Sequence, residues 1–211
     1  MIASFTRLDL SSWFPRSQTL LTLVFVVVIG VLLPVPGMAV MAAVTSLMVS
    51  SPFLGDERGH LDTLYGVLPV SRRTVVIGRA LSVFSYYLVA AGLATAVTVV
   101  MATVRGDAIA SEILIIAHAS ALAFVGLSMA LQLPVFFRIG YSRGRLMAYA
   151  PVFVVAGLAW LTQALGVQGP FVEAFDGVPI AAIAGAGAAI GVGGIICAIV
   201  VGARLYRTRE L

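Results

Sequence analysis

The chain contains no lysine: all 13 of its basic residues are arginine. A Walker A loop needs a lysine on the nucleotide phosphates, so this chain builds none, and lysine Schiff-base chemistry is excluded with it. Charge of either sign is scarce, at 10% of 211 residues. A soluble domain carries about a quarter of its residues charged, so that class is excluded too. The single cysteine, Cys197, lies in an apolar run, which rules out an intrachain disulfide or a cysteine zinc cluster. The apolar runs hold one histidine, no carboxylate pair and no G-x-S-x-G, so a membrane-embedded enzyme lacks its nucleophile or metal site. No carboxylate falls in the middle of an expected span, which disfavours a proton- or sodium-coupled secondary transporter. A non-transporting membrane accessory subunit remains as the alternative to a transporter subunit.

What is abundant is apolar: 61% of residues, with a mean hydropathy of +1.08. Continuous runs of membrane length recur, and they do not alternate as barrel strands do. The expectation is an all-α integral membrane protein with one transmembrane domain over 1–211. Six helices are expected at about 17–33, 37–54, 74–104, 111–137, 146–166 and 179–203. Twelve of the 13 arginines then share one side: Arg7 and Arg16; Arg58, Arg72, Arg73 and Arg79; Arg138, Arg143 and Arg145; Arg204, Arg207 and Arg209. Arg105 stands alone on the other, with Asp107, Glu112, Glu173 and Asp176. The positive-inside rule places both termini in the cytoplasm.

Before the first span, Ile2, Phe5 and Leu8, with Ser12 or Trp13, share a helical face, while Arg7 and Asp9 lie elsewhere. That predicts a short amphipathic helix in the cytoplasmic interface. A cleaved signal peptide is the weaker reading, because the leader contains Asp9 and no A-x-A site follows Leu33.

The densest polar chemistry lies between the second and third spans, in GDERGHLDTLYGVLPVSRR from Gly55 to Arg73. Gly55 is expected to break the second span, and Asp56 to cap a short helix whose positive end suits Asp56 and Glu57. Leu61, Leu64, Tyr65 and Leu68 follow at i, i+3, i+4 and i+7 as one apolar face, and Pro69 ends it. Ser71 caps the third span, and Arg72 and Arg73 anchor it. By composition alone, this stripe better suits an amphipathic turn lying on the membrane.

Asp56-Glu57-Arg58, then Leu64 through Arg72, then Val75-Val76-Ile77-Gly78-Arg79 resembles the ABC-2 type permease family, the membrane subunits of ABC exporters, in its small six-helix branch. Arg7-Leu8-Asp9-Leu10 is similar to the family's N-terminus. The resemblance implies no cofactor on this chain, with ATP and Mg held by a separate ABC ATPase subunit. It implies that the loop supplies a coupling helix seated on that subunit. Asp56, Glu57, Arg58, Leu61, Leu64, Tyr65, Leu68, Pro69, Ser71 and Arg72 would be the coupling residues. It also implies a second permease copy or paralogue, since six spans make half a pathway, and a place in a bacterial plasma membrane. No nucleic-acid partner is expected. Export, not import, follows from the resemblance, and the uncharged spans lean toward a hydrophobic or amphipathic cargo.

His118, Gln132 and Gln163 are the candidate pathway residues. Each has a competing reading as an interhelical hydrogen-bonding group. Gly187 and Gly191, continued by Gly194, Ala198 and Gly202, form a small-residue stripe suited to close helix packing.

Overall fold

The computed structural model describes residues 2–13, 17–32, 37–59, 71–106, 109–167, 169 and 177–207. Among these residues it is helical throughout, with no strand. The helices are α1 (Ile2–Trp13), α2 (Ser17–Leu32), α3 (Gly37–Met48), α4 (Ser51–Gly59), α5 (Arg72–Arg105), α6 (Ser111–Gly144), α7 (Ala150–Ala164) and α8 (Ile180–Arg207), with a 3-10 turn, Arg145–Ala148, between α6 and α7. Among the described residues, four helical stretches are long and apolar enough to cross a membrane: Met38–Gly59, Arg72–Arg105, Ser111–Ala164 and Ile180–Arg207; Thr19–Leu32 is apolar but shorter. Large apolar side chains such as Leu21, Phe153, Trp160 and Val104 stand exposed along these helices. Water does not tolerate such a belt on a monomer, whereas lipid does.

The second span does not stop at Gly55. Gly55 is buried inside α4, and the interruption comes earlier, at a turn over Val49 and Ser50. Pro52 explains the shift: it has no N–H to continue the ladder from α3 and is tolerated in the first turn of a new helix. The fourth span also runs past its expected end, because α6 absorbs Pro134 and continues to a kink at Gly140, where φ is 79° and ψ 175°. At the third span the local chemistry prevails as read: Ser71 is the N-cap of α5, accepting a 3.1 Å bond from Thr74 N.

The small-residue stripe on α8 packs against α6. A Cβ placed on Gly191 would stand 2.7 Å from Leu122 O, and one on Gly187 would stand 2.9 Å from Ala119 O. Gly194 lies equally close to the backbone at Gly126. The stripe is therefore spent within one chain, letting two backbones approach where lipid offers no hydrophobic drive.

Helix ends pair in a consistent way. Arg105 Nη2 donates to Val31 O at 2.8 Å, joining the far ends of α2 and α5. Arg72 Nη1 donates to Tyr206 O at 2.9 Å and Arg207 O at 3.0 Å, joining the start of α5 to the end of α8. A guanidinium on the last carbonyls of a helix also opposes the negative end of its dipole.

Candidate functional site

The expected docking stripe, Leu61, Leu64, Tyr65 and Leu68, lies outside the described residues, as do His60 and Pro69. The two helices that bracket this segment are described, and they meet at one buried guanidinium.

Arg79, on α5, has a fully buried side chain. Its Nη2 lies 2.8 Å from Asp56 Oδ2 on α4 and 2.9 Å from Asp9 Oδ1 on α1. Its guanidinium carbon stands 4.8 Å above the Phe53 ring. The Ser82 hydroxyl donates to Asp9 Oδ2. Two carboxylates thus share one cation. The side chains of Asp9 and Asp56 are 1% and 10% exposed. At that burial each ion forfeits several kcal/mol of hydration, which only close pairing returns. The cluster sits at the polar end of α5, because no charged residue follows until Arg105. α5, at 34 residues, is about 50 Å long against a hydrocarbon thickness of about 30 Å, which leaves room for Arg79 at the membrane edge.

The N-terminal helix differs from expectation. Its buried face is Phe5, Asp9 and Trp13, while Ile2 and Leu8 are exposed. Phe5 packs onto Gly78, Asp9 takes the Ser82 hydroxyl, and the Trp13 and Tyr86 rings lie 5.7 Å apart. The partners advance in step, so α1 runs alongside the first turns of α5. Asp9 faces inward because Arg79 offers it a partner, which outweighs the local preference of a carboxylate for the wet face.

Asp56 correspondingly does not cap a helix: it lies within α4, turned toward Arg79. Glu57 binds the far side of the bundle. Ser142 N donates to Glu57 Oε1 at 2.9 Å, and the Ser142 hydroxyl donates to Oε2. This fixes the chain just past the Gly140 kink to the end of α4. Arg58 is exposed. Arg72 holds the end of α8, with its guanidinium carbon 5.6 Å over the Tyr206 ring.

The candidate pathway residues separate. His118 Nε2 lies 2.9 Å from Thr95 Oγ1, a bond between α6 and α5. Gln132 is buried, its Nε2 donating to Ser46 Oγ at 3.2 Å, while Gln163 is exposed. None of the three lines the apolar groove of about 550 Å³ that α3, α6 and α7 form. That groove is walled by small residues, among them Ala42, Ala121 and Ala156, with Phe124 also in its lining. Sequence reading missed this groove, although alanines on three separate spans were there to be seen. It also missed the Asp9–Arg79–Asp56 cluster, whose members sit among other charges in the sequence and whose pairing has no local signal. Among the described residues no group of three His, Cys, Asp or Glu side chains is placed to hold a metal.

A family model described as ABC-2 family transporter protein matches residues 12–207. Comparison with curated proteins and with solved structures gave no match.

Proposed function

The chain belongs to the ABC-2 transporter family, as a membrane permease of an ATP-binding-cassette transporter and not its ATPase, and from that premise we propose that it is an exporter subunit driven through its second cytoplasmic loop. The observation that carries this reading is the buried Arg79. It ties together α4, which leads into the loop, α5, which leads out of it, and α1. A push on the segment over 60–70 therefore reaches three helices through one charged junction and does not dissipate in a slack connection. Glu57 on Ser142 extends the same connection to the bent end of α6. Leu61, Leu64, Tyr65 and Leu68 are the docking face for a separate ATPase subunit, which holds ATP and Mg, and Arg58 lies on the exposed rim of that contact. Two copies, or this chain and a paralogue, enclose the pathway. The alanine-lined groove between α3, α6 and α7 offers a wall suited to a hydrophobic or amphipathic cargo.

Six spans with both termini cytoplasmic, in a bacterial plasma membrane, complete the proposal. Single cysteines test it in a background carrying Cys197→Ala, since Cys197 is itself exposed. Ser11→Cys and Thr208→Cys should resist an impermeant thiol reagent in intact cells, and Ala108→Cys and Gln168→Cys should react. Gly106 is avoided because its φ of 74° would strain a side chain. Labelling of Ser11→Cys or Thr208→Cys from outside would overturn the topology.

Hydrolysis tests the division of labour. The purified chain alone should turn over no ATP, and the complex should hydrolyse it at a rate set by the partner. Sustained hydrolysis by the isolated chain, after removal of contaminating ATPases, would contradict this.

A further inference from the structure

The start of α5 and the end of α8 form a groove of about 620 Å³, in which Arg73, Arg204 and Arg207 have no part in the roles described so far. Four guanidinium-bearing residues line it, Arg72, Arg73, Arg204 and Arg207, and among the described residues no carboxylate does. Arg72 is committed to the last carbonyls of α8, while Arg73, Arg204 and Arg207 are exposed. Four cations around one concavity repel one another, and an anion between them relieves that repulsion. The N-terminus of α5, with its positive dipole end, opens onto the same groove through Ser71, Arg72 and Arg73.

A second feature identifies which anion. Ile199 and Val200 line the groove together with the arginines. On α8, Val192, Ile196, Val200 and Arg204 recur every four residues, and the three apolar members are 50%, 56% and 44% exposed. This face runs as an uncovered apolar stripe that ends in the basic groove. From Val192 to Arg204 it is about 18 Å long, close to the half-thickness of a bilayer's hydrocarbon, about 15 Å. A phosphate headgroup at the guanidiniums and an acyl chain along the stripe match both parts. An acidic protein surface would match the arginines alone, whereas a phospholipid matches the arginines together with the lipid-facing stripe that ends at them.

We propose that this groove binds an anionic phospholipid, with its phosphate among Arg73, Arg204 and Arg207 and one acyl chain along Val200, Ile196 and Val192. The site rests on this end of the bundle lying at the cytoplasmic face, where anionic lipid is concentrated and basic pockets between membrane helices take such headgroups. A lipid held there bridges α5, whose next turn carries Arg79, to the last helix. Bilayer composition then acts on the junction that the loop also reaches.

The test is native mass spectrometry of the full-chain protein in its purified complex, titrated in micelles with phosphatidylglycerol or phosphatidylcholine. Phosphatidylglycerol should be retained at least about tenfold more strongly, and inorganic phosphate at millimolar concentration should not displace it. Combined Arg73→Gln, Arg204→Gln and Arg207→Gln should weaken retention by roughly 100-fold, about fivefold per guanidinium. The three arginine-to-lysine changes should keep most of it. If the triple glutamine variant is not recovered folded, Arg204→Gln alone carries the test at about fivefold. Equal retention of the two lipids, unchanged retention in the glutamine variants, or displacement by inorganic phosphate would overturn the proposal. So would loss of the ATPase subunit from the triple variant with lipid retention intact, which would make the groove a protein contact. Retention in micelles does not depend on which face the groove occupies, so this result and the thiol-labelling result can fail independently.

Discussion

Replacing Arg79 with methionine should cost more than replacing either of its partners. The substitution removes the guanidinium that bridges the buried Asp9 and Asp56 carboxylates. Removing one member of a buried ionic cluster costs about 3–5 kcal/mol, chiefly because the remaining charges stay desolvated. For a chain of this size that corresponds to a fall in melting temperature on the order of 10 °C. Asp9→Asn and Asp56→Asn should each cost less, since either leaves one carboxylate on one guanidinium. The triple change Asp9→Asn, Arg79→Met, Asp56→Asn should recover most of the loss, because no uncompensated charge remains. Thermal unfolding of the purified variants in detergent, read by circular dichroism, gives this order. A melting temperature for Arg79→Met within about 2 °C of the parent chain would show that the cluster holds nothing together.

The second large effect belongs to the loop. Leu64→Asp combined with Leu68→Asp should release the ATPase subunit while the permease stays in the membrane. Burying an unpaired carboxylate in a small docking contact costs about 3 kcal/mol or more, over 100-fold in affinity. Thr63→Ala, off the stripe, should leave binding unchanged. If the stripe lies on lipid instead, the double variant should lower expression or membrane seating and leave the complex intact. A pull-down that retains the ATPase subunit fully, with transport preserved, would remove the docking assignment and leave the family membership untouched.

Much of this architecture is written in local chemistry. The all-helical class follows from unbroken apolar runs, the start of α5 from Ser71, and the α6–α8 contact from glycines spaced three and four apart. Those features depend on residues within a turn or two of each other, or on one face of one helix. The charge cluster depends on residues 23 and 70 positions apart. Periodicity assigns Asp9 to the wet face of α1 and counts Arg79 as a flank of a membrane span. The first assignment fails because a tertiary partner changes the cost of burial; the second stands, but periodicity does not show that this flanking arginine is buried in an ion pair. Asp56 is misread for a related reason: glycine is a local helix breaker, but the proline three residues earlier sets the break, and Gly55 is carried inside the helix that follows. His118 shows the opposite case, since the modest reading of a hydrogen bond between helices is the one its contact with Thr95 supports.

The central claim is that the segment between α4 and α5 is the seat of an ATPase, joined to the bundle through Arg79. It is tested most directly by placing a photo-crosslinking amino acid at Leu64 and illuminating the protein in its native membrane. The account predicts one dominant adduct, to an ATP-binding protein that carries the phosphate-binding lysine this chain lacks. It also predicts that the adduct is lost when Leu61 and Leu68 are both changed to Asp with the probe kept at position 64. Adducts to lipid or to the permease alone, with no ATP-binding partner captured, would contradict it.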